Sequence, residues 1–266
     1  MESSYADLGM FAEKLFRASC FEDAFRAFEA QVFRLGFEGA LYTFIPRVAL
    51  DANLPKQPIY KVSESYGPDY LSHYAQARFD QHDPIVKAIA GGVLTPLDWW
   101  IEVKKGTMTT AERTVIVTAR EDYRIVNGLT LPTMSNLRGI AGASFTSSEP
   151  DRLYEKLKAQ RQEELALCTR MFHGAVNSNA YFMEEFLRPL LASLNQTEKG
   201  TLRRLAEGKG LERIADEVGT TTRYVDRVVR HLREKLSGVG ADEQPHISRN
   251  QLAYYVGLLN LIDYLE

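Results

Sequence analysis

Arginine side chains recur on one face of a segment near the end of the chain. Arg223, Arg227 and Arg230 are spaced so that a helix would bring them to the same side. Guanidinium groups on an exposed helix can bind phosphates and guanine edges in the major groove of DNA. Between residues 221 and 235 there are five basic and two acidic side chains, a local charge of +3. Such a run is also typical of a solvated helix face, so its interpretation depends on the neighbouring elements.

Those neighbouring elements form a helix-turn-helix pattern. Residues 211–218 predict a short helix, and a second helix is expected from Arg223 to Leu236. Gly219 supplies the left-handed backbone that a tight reversal favours, and Ala215 is small enough for a close helix crossing. Threonine hydroxyls ahead of the second helix can cap its free N–H groups. The residues expected to contact DNA are Thr221, Thr222, Arg223, Arg227 and Arg230.

A second group of side chains with suitable chemistry lies in the first half of the chain. Tyr66, Tyr70 and Tyr74 are four residues apart, which brings their phenols to one helix face or its approach. Phenols can form hydrogen bonds while their rings enclose an apolar group, although a single aromatic side chain more often packs in a core. Asp83 precedes Pro84, which predicts a buried acceptor, a helix N-cap with proline in the first turn, or both.

Hydrophobic spacing predicts the elements that would position these side chains. Helices are expected at 8–17, 21–35, 68–78, 84–90, 109–123 and 150–172, and strands at 39–46, 127–133 and 139–146. We therefore predict an α+β chain with an N-terminal α-β-α sandwich that binds a ligand and a C-terminal all-α helix-turn-helix domain. The small polar residues 174–180 indicate a linker between them. The predicted boundaries are 1–174 for the first domain, 175–190 for the linker and 191–266 for the second domain.

Composition excludes several classes of protein. The 266 residues are 45% hydrophobic and 25% charged, which is typical of globular domains, and the net charge of −3 confines any nucleic-acid face to a local patch. The two cysteines and five scattered histidines have no disulfide or metal-ligand spacing, so we expect no metal and no cofactor. The sequence contains no nucleophile motif and no phosphate-loop motif that would indicate an enzyme. No signal peptide or apolar run of membrane-spanning length occurs, so we expect a cytoplasmic protein without a membrane partner.

The C-terminal motifs resemble those of the LuxR family of quorum-sensing regulators. A loop from Gly238 to His246 is longer than the family norm, and the last helix resumes at Arg249. The resemblance implies a homodimer that binds double-stranded DNA at an inverted-repeat operator. The motifs that carry it, in family order, are Leu194-Asn195-Gln196-Thr197-Glu198, Ala206-Glu207-Gly208-Lys209, Ile214-Ala215, Val225 and Lys235-Leu236. An apolar stripe on the last helix either faces the second subunit or packs internally: Leu252, Tyr255, Val256, Leu259 and Ile262.

The first half resembles the autoinducer-binding domain of the same family. The matching motifs are the tyrosine series with Asp83-Pro84, then Pro96-x-x-Trp99, Gly128-Leu129-Thr130-Leu131-Pro132 and Ser144. The resemblance implies that an N-acyl-homoserine lactone binds between a sheet and a helical layer. Asp83 would accept the amide N–H of this ligand, while phenols, an indole N–H and a hydroxyl would donate to its carbonyl groups. The implied ligand-binding residues are Tyr66, Tyr70, Tyr74, Asp83, Trp99 and Ser144.

The sequence departs from the family pattern at two functional positions. At Tyr70 the family usually has a tryptophan that holds the lactone-ring carbonyl, and a phenol donates from a different reach and angle. This leaves open an atypical acyl-lactone, a non-lactone signal, or an orphan regulator that acts without a ligand or by heterodimerisation. Asp226 replaces a commoner basic or neutral residue beside the DNA face, which would narrow operator choice. A response regulator is disfavoured because the first half lacks alternating strands and helices.

Overall fold

The structure is a computed structural model that describes residues 2–48, 60–237 and 247–265. The predicted loop at 238–246 lies outside these ranges. The described helices are α1 (Glu2–Arg17), α2 (Phe21–Arg34), α3 (Pro68–Gln76), α4 (Pro84–Ala90), α5 (Trp99–Lys104), α6 (Thr110–Tyr123), α7 (Asp151–Ser178), α8 (Ala180–Ala192), α9 (Gln196–Ala206), α10 (Leu211–Val218), α11 (Thr222–Ser237) and α12 (Arg249–Leu258). The described strands are β1 (Gly39–Pro46), β2 (Tyr60–Val62), β3 (Leu97–Asp98), β4 (Asn127–Ser135) and β5 (Gly139–Ser147).

The chain forms two compact units. The first comprises Met1–Phe44, Pro58–Asn136 and Ile140–Phe186, and the second comprises Ile45–Gln57, Leu137–Gly139 and Leu187–Glu266. None of the helices in the described ranges is long and apolar enough to cross a membrane.

The first unit is built on a five-stranded sheet in the order β2-β1-β5-β4-β3. Strands β1 and β2, β3 and β4, and β4 and β5 pair antiparallel. Successive side chains of a strand point to opposite faces. Phe145 of β5 packs against Phe28 of α2, whereas its neighbour Ser144 bonds Thr130 on the other face. Helices therefore cover both faces, which confirms the predicted mixture of helices and sheet in this unit.

Aromatic side chains fill the space between the sheet and helices α2 and α7. In α2, apolar residues at helical spacing are buried, which is why this segment forms an amphipathic helix. Phe28 stacks on Phe172 of α7 with ring centroids 4.5 Å apart, and Tyr42 of β1 meets Phe172 edge-on at 5.0 Å. Burial of such rings stabilises the fold by about 1.5–3 kcal/mol each. This layer leaves the opposite sheet face to the side chains of α3 to α6.

The segment predicted as a linker is helical. Helix α7 continues through Ser178, only Asn179 separates it from α8, and the compact units change between Phe186 and Leu187. Gly174 does not end α7, because the buried Phe172 and Val176 continue its apolar face on either side. The proposed linker at 174–180 thus consists of the end of one helix and the start of the next. That the two parts act as separate domains stays a prediction.

Helices dominate the described part of the second unit. Asn195 and Glu198 form a capping box at the start of α9. The Glu198 carboxylate is almost completely buried and accepts hydrogen bonds from Lys235 of α11 at 2.8 and 2.9 Å. A buried carboxylate requires such a partner. The pair fixes α11 against the start of α9.

The apolar stripe on the last helix packs within its own unit. Leu252, Val256 and Leu259 are each at most 1% exposed, and α12 contacts both α9 and α11. Internal packing therefore accounts for Leu252, Val256 and Leu259, and a role of this helix in a dimer stays a prediction. The large side chain that α12 exposes is Tyr254.

Candidate functional site

A chain of hydrogen bonds connects three elements on the sheet face opposite α2. The indole N–H of Trp99, at the start of α5, donates to the Thr130 hydroxyl of β4 at 2.9 Å. The Thr130 and Ser144 hydroxyl oxygens are 2.8 Å apart. Ser144 also lies near enough to Tyr66 to oppose the rise in the pKa of its phenol. An indole N–H can only donate, so Thr130 is the acceptor at this end of the chain. Thr130 lies within a quoted sequence motif, but sequence reasoning did not assign it a role.

The position of Trp99 depends on a glycine beside it. A side chain at Gly128 would overlap the indole ring, so this position on β4 needs a residue without a Cβ atom. The register of β3 on β4 pairs Asp98 with Leu129 and Leu97 with Thr130. This pairing explains why Trp99 lies across Gly128 and reaches the Thr130 hydroxyl.

The Asp83 carboxylate uses its two oxygens for different tasks. Oδ1 accepts from the N–H groups of Ile85 and Val86 at 2.8 and 3.1 Å, with Pro84 in the first turn of α4. Oδ2 accepts from the Tyr74 hydroxyl at 2.9 Å. The interpretation as a helix N-cap is confirmed, and Oδ2 remains an acceptor that faces the tyrosines.

Tyr66, Tyr70 and Tyr74 approach one another from two local elements. Tyr66 lies in a 3-10 turn at Glu64–Tyr66, while Tyr70 and Tyr74 lie on α3. The rings of Tyr70 and Tyr74 are 6.0 Å apart, and Tyr70 also packs on Tyr123 of α6 at 5.5 Å. The Tyr70 hydroxyl reaches the Val115 carbonyl only at 3.5 Å, a weak bond. The phenol that replaces the family tryptophan therefore has donor capacity left for a ligand.

Two further residues complete this aromatic cluster. The Tyr123 hydroxyl and His73 Nδ1 are 2.7 Å apart, and the His73 ring stacks on Phe79 at 5.3 Å. Sequence reasoning missed both side chains as parts of the site. Their signal was weak, since Tyr123 is the last residue of α6 and meets His73 only through the tertiary fold.

Burial and the Asp83 charge set the protonation of the site. Burial raises the pKa of the Tyr66, Tyr70 and Tyr74 phenols, and the nearby Asp83 carboxylate raises each of them further. Burial also raises the pKa of Asp83 above its ordinary value, against hydrogen bonds from Val86, Tyr74 and Ile85 that lower it. The phenols therefore remain neutral donors at physiological pH. Neutral donors around one carboxylate suit an uncharged ligand with carbonyl acceptors and an N–H or O–H donor.

The helices of the helix-turn-helix pattern are present as predicted. Helix α10 covers Leu211–Val218, and Gly219 follows with a left-handed φ of 66°. The Thr221 hydroxyl accepts from the Tyr224 N–H at 3.3 Å, at the start of α11. The buried face of α11 contains Val225, Val229 and Leu232. The side chains proposed to face DNA are all exposed: Thr221, Thr222, Arg223, Arg227 and Arg230.

The basic side chains of α11 divide into two groups. Lys235 pairs with Glu198, and Arg233 Nε donates to the Ile247 carbonyl at 2.6 Å, so both have structural partners. Arg227 lies over the Tyr224 ring at 5.1 Å, and Arg230 is 3.6 Å from Asp226. Fewer basic side chains are therefore available for contacts outside the protein than the count in the sequence suggests.

Comparisons with known proteins identify relatives of this chain. Residues 21–176 match the family described as Autoinducer binding domain. The crystal structure of Escherichia coli SdiA is 20% identical, covers 97% of this chain and 98% of its own, and has a TM-score of 0.55. SdiA in complex with octanoyl-rac-glycerol is 18% identical, with coverages of 98% and 97% and a TM-score of 0.52. A search of curated proteins found no match. The solved structures show a shared fold of helices and antiparallel sheet.

Proposed function

Because this chain belongs to the autoinducer-binding family of LuxR-type quorum-sensing regulators, we propose that it is a transcription regulator that binds DNA in response to an N-acyl-homoserine lactone or a related acyl signal. The family consists of signal-binding regulators rather than enzymes. We assign the ligand site to Tyr66, Tyr70, Tyr74, Asp83, Trp99 and Ser144, and we add Thr130 to it.

The arrangement of donors and acceptor carries the ligand proposal. Ser144 and Trp99 belong to a connected set of donors, while Asp83 Oδ2 is an acceptor whose charge influences the Tyr66 and Tyr70 phenols. An acyl amide has a carbonyl oxygen that can accept from these donors and an N–H group that can donate to Asp83. The tyrosine rings supply apolar surface for an acyl chain. An acylglycerol offers an ester carbonyl and hydroxyl donors instead, and the structure of SdiA with octanoyl-rac-glycerol makes this second headgroup class worth testing.

The exposed face of α11 supports the DNA-binding part of the proposal. Three arginine side chains lie on the solvent side of this helix: Arg223, Arg227 and Arg230. On the opposite side, Val225, Val229 and Leu232 are buried. We propose that α11 enters the major groove and that a cytoplasmic homodimer reads the two halves of an inverted repeat.

A ligand-independent regulator is the second candidate, and one observation favours it. Some polar groups of the site already have partners within the protein, since the Tyr74 hydroxyl donates to Asp83 and the Trp99 indole N–H donates to Thr130. A site that is satisfied in this way costs little when it is empty. An orphan regulator that acts alone or by heterodimerisation would need no more than this.

A thermal-shift experiment separates the two candidates. The full chain is heated with N-acyl-homoserine lactones of four to twelve acyl carbons and with octanoylglycerol. A ligand at about 100 times its Kd stabilises the folded state by roughly 2.7 kcal/mol, so the melting temperature should rise for at least one compound. Asp83→Ala should reduce that rise, whereas the exposed control Asp69→Ala should not. A flat response to every compound, together with intact DNA binding, would support the orphan candidate instead.

A further inference from the structure

A buried ion pair lies behind the ligand site, at the edge of the sheet. Lys158 of α7 donates to Oδ2 of Asp98 at 2.5 Å, and the two side chains are only 10% and 7% exposed. Lysine is seldom buried unless it is paired. Glu155 also accepts from Lys158 at 2.9 Å, and the ammonium lies 5.0 Å from the centre of the Tyr154 ring. Burial lowers the pKa of Lys158, but the hydrogen bonds to Asp98 and Glu155 outweigh this and raise it overall, so Lys158 is charged at neutral pH.

Asp98 also fixes the start of α5. Its Oδ1 accepts from the N–H groups of Trp100 and Ile101 at 3.0 and 2.9 Å, which caps the helix. Asp98 ends β3 and Trp99 begins α5, and the two side chains contact different elements. Asp98 reaches α7, whereas Trp99 reaches the Thr130 hydroxyl on the ligand side. One carboxylate therefore ties α7 to the backbone from which Trp99 projects.

We propose that Lys158 is a positioning residue for ligand binding, which holds Asp98 and thereby fixes the indole N–H of Trp99 in the site. The inference rests on the proposed function, because it assumes that Trp99 contacts the ligand. It adds a residue that touches neither the ligand nor Trp99 itself.

The Lys158–Asp98 pair is expected to contribute little net folding stability. The cost of removing both charges from water offsets most of their attraction, and apolar replacements are often neutral or stabilising. The effect proposed for this pair is to fix the geometry of α5 through the helix cap that Asp98 forms. Removal of one partner would leave an uncompensated buried charge, so a test must also remove both.

The test uses Trp99 fluorescence in a Trp100→Phe background, where Trp99 is the only tryptophan. The variants are Lys158→Met, which keeps the aliphatic stem, and Lys158→Met with Asp98→Asn, which removes both charges but keeps an N-cap oxygen. Lys156→Met, on the exposed side of α7, is the matched control. Emission wavelength and acrylamide quenching are measured without ligand, and affinity is measured for N-octanoyl-homoserine lactone and for octanoylglycerol.

We expect Trp99 emission to shift to the red and its quenching to increase in both Lys158 variants, but not in Lys156→Met. Affinity should fall about three- to tenfold, the range of one neutral hydrogen bond. If Lys158→Met fails to fold, the double variant decides. Parental emission and quenching in a folded double variant would overturn the proposal. A parent protein that binds neither compound would contradict the proposed ligand class instead, while the quenching result would still test the positioning of Trp99.

Discussion

The Tyr74 hydroxyl donates a 2.9 Å hydrogen bond to Oδ2 of Asp83. The other oxygen of this carboxylate caps α4 through the N–H groups of Ile85 and Val86. One side chain thus begins a helix and presents an acceptor to the tyrosine cluster. These two roles can be separated because they use different oxygen atoms.

Asp83→Ala should weaken ligand binding and lower stability together. Loss of the N-cap costs about 1 kcal/mol of unfolding free energy. Loss of the acceptor costs roughly 1.5–3 kcal/mol of binding, or about 10- to 150-fold in affinity. Asp83→Asn should retain most of the stability, since an amide oxygen can cap α4. Urea unfolding of the free protein and titration with the stabilising compound measure the two effects. An Ala variant that binds as tightly as wild type would remove Asp83 from the ligand site.

Gly128→Ala should displace Trp99, because the added methyl group would occupy the space of the indole ring. We expect weaker ligand binding and a loss of about 1–3 kcal/mol in stability from overpacking. Gly174→Ala is the matched control, since Gly174 lies in helix α7 with no atom close to its missing Cβ. That change should leave binding intact and stabilise the protein by about 0.5–1 kcal/mol. Equal affinities for the two variants would argue against close packing between Trp99 and β4.

Glu112 should make stability depend on pH in the acid range. Hydrogen bonds from Lys87 and Thr109 lower the pKa of Glu112 from 4.5 to about 2. A carboxylate whose pKa is lowered by folding stabilises the folded state at pH values above its unfolded pKa. This stabilisation disappears as the pH falls through the folded pKa. Glu112→Gln should therefore be less stable than wild type at pH 7, and the difference should shrink between pH 4.5 and 2.

Urea unfolding at several pH values measures this effect. Glu121→Gln is the control, because Glu121 is exposed on the same helix. A difference between wild type and Glu112→Gln that stays constant from pH 7 to pH 2 would contradict the proposed ionic link between α4 and α6.

Local sequence patterns predicted the elements whose signals are local. Helix α2 has buried aromatic residues at helical spacing, and Thr109 with Glu112 forms the capping box that begins α6. The turn at Gly219 was predictable because its left-handed backbone favours glycine. The same holds for Asp83 as an N-cap before Pro84. In each case the deciding interaction lies within four residues along the chain.

Elements that depend on distant partners were not predictable. Strand β3 has two residues and exists through its pairing with β4, where Leu97 meets Thr130. The Lys158–Asp98 pair joins residues that are 60 positions apart. Helix α7 continues past Gly174 because burial of Val176 outweighs a glycine penalty of about 1 kcal/mol. The sequence identified most side chains of the proposed ligand site, but not the contacts that orient them.

The exposed face of α11 should contribute directly to specific DNA binding. Arg227→Ala and Arg230→Ala should each weaken specific DNA binding by roughly 1–3 kcal/mol if the side chain binds a guanine edge. Folding should be unaffected, since both side chains are exposed and their partners, Tyr224 and Asp226, lie on the same helix. Arg26→Ala removes a charge of similar exposure from the other compact unit and serves as the control.

Binding is measured by footprinting on an operator selected with the wild-type protein, at several salt concentrations. A variant that loses a base contact should bind mismatched sites as well as the parent does, whereas one that loses a phosphate contact should bind all sites less tightly and with a smaller salt dependence. Tyr224→Ala should resemble Arg227→Ala in part, because the ring holds the guanidinium in place. If both arginine variants protect the operator at the same concentration as wild type, α11 does not present this face to DNA. The basic residues would then form only a solvent-exposed helix face.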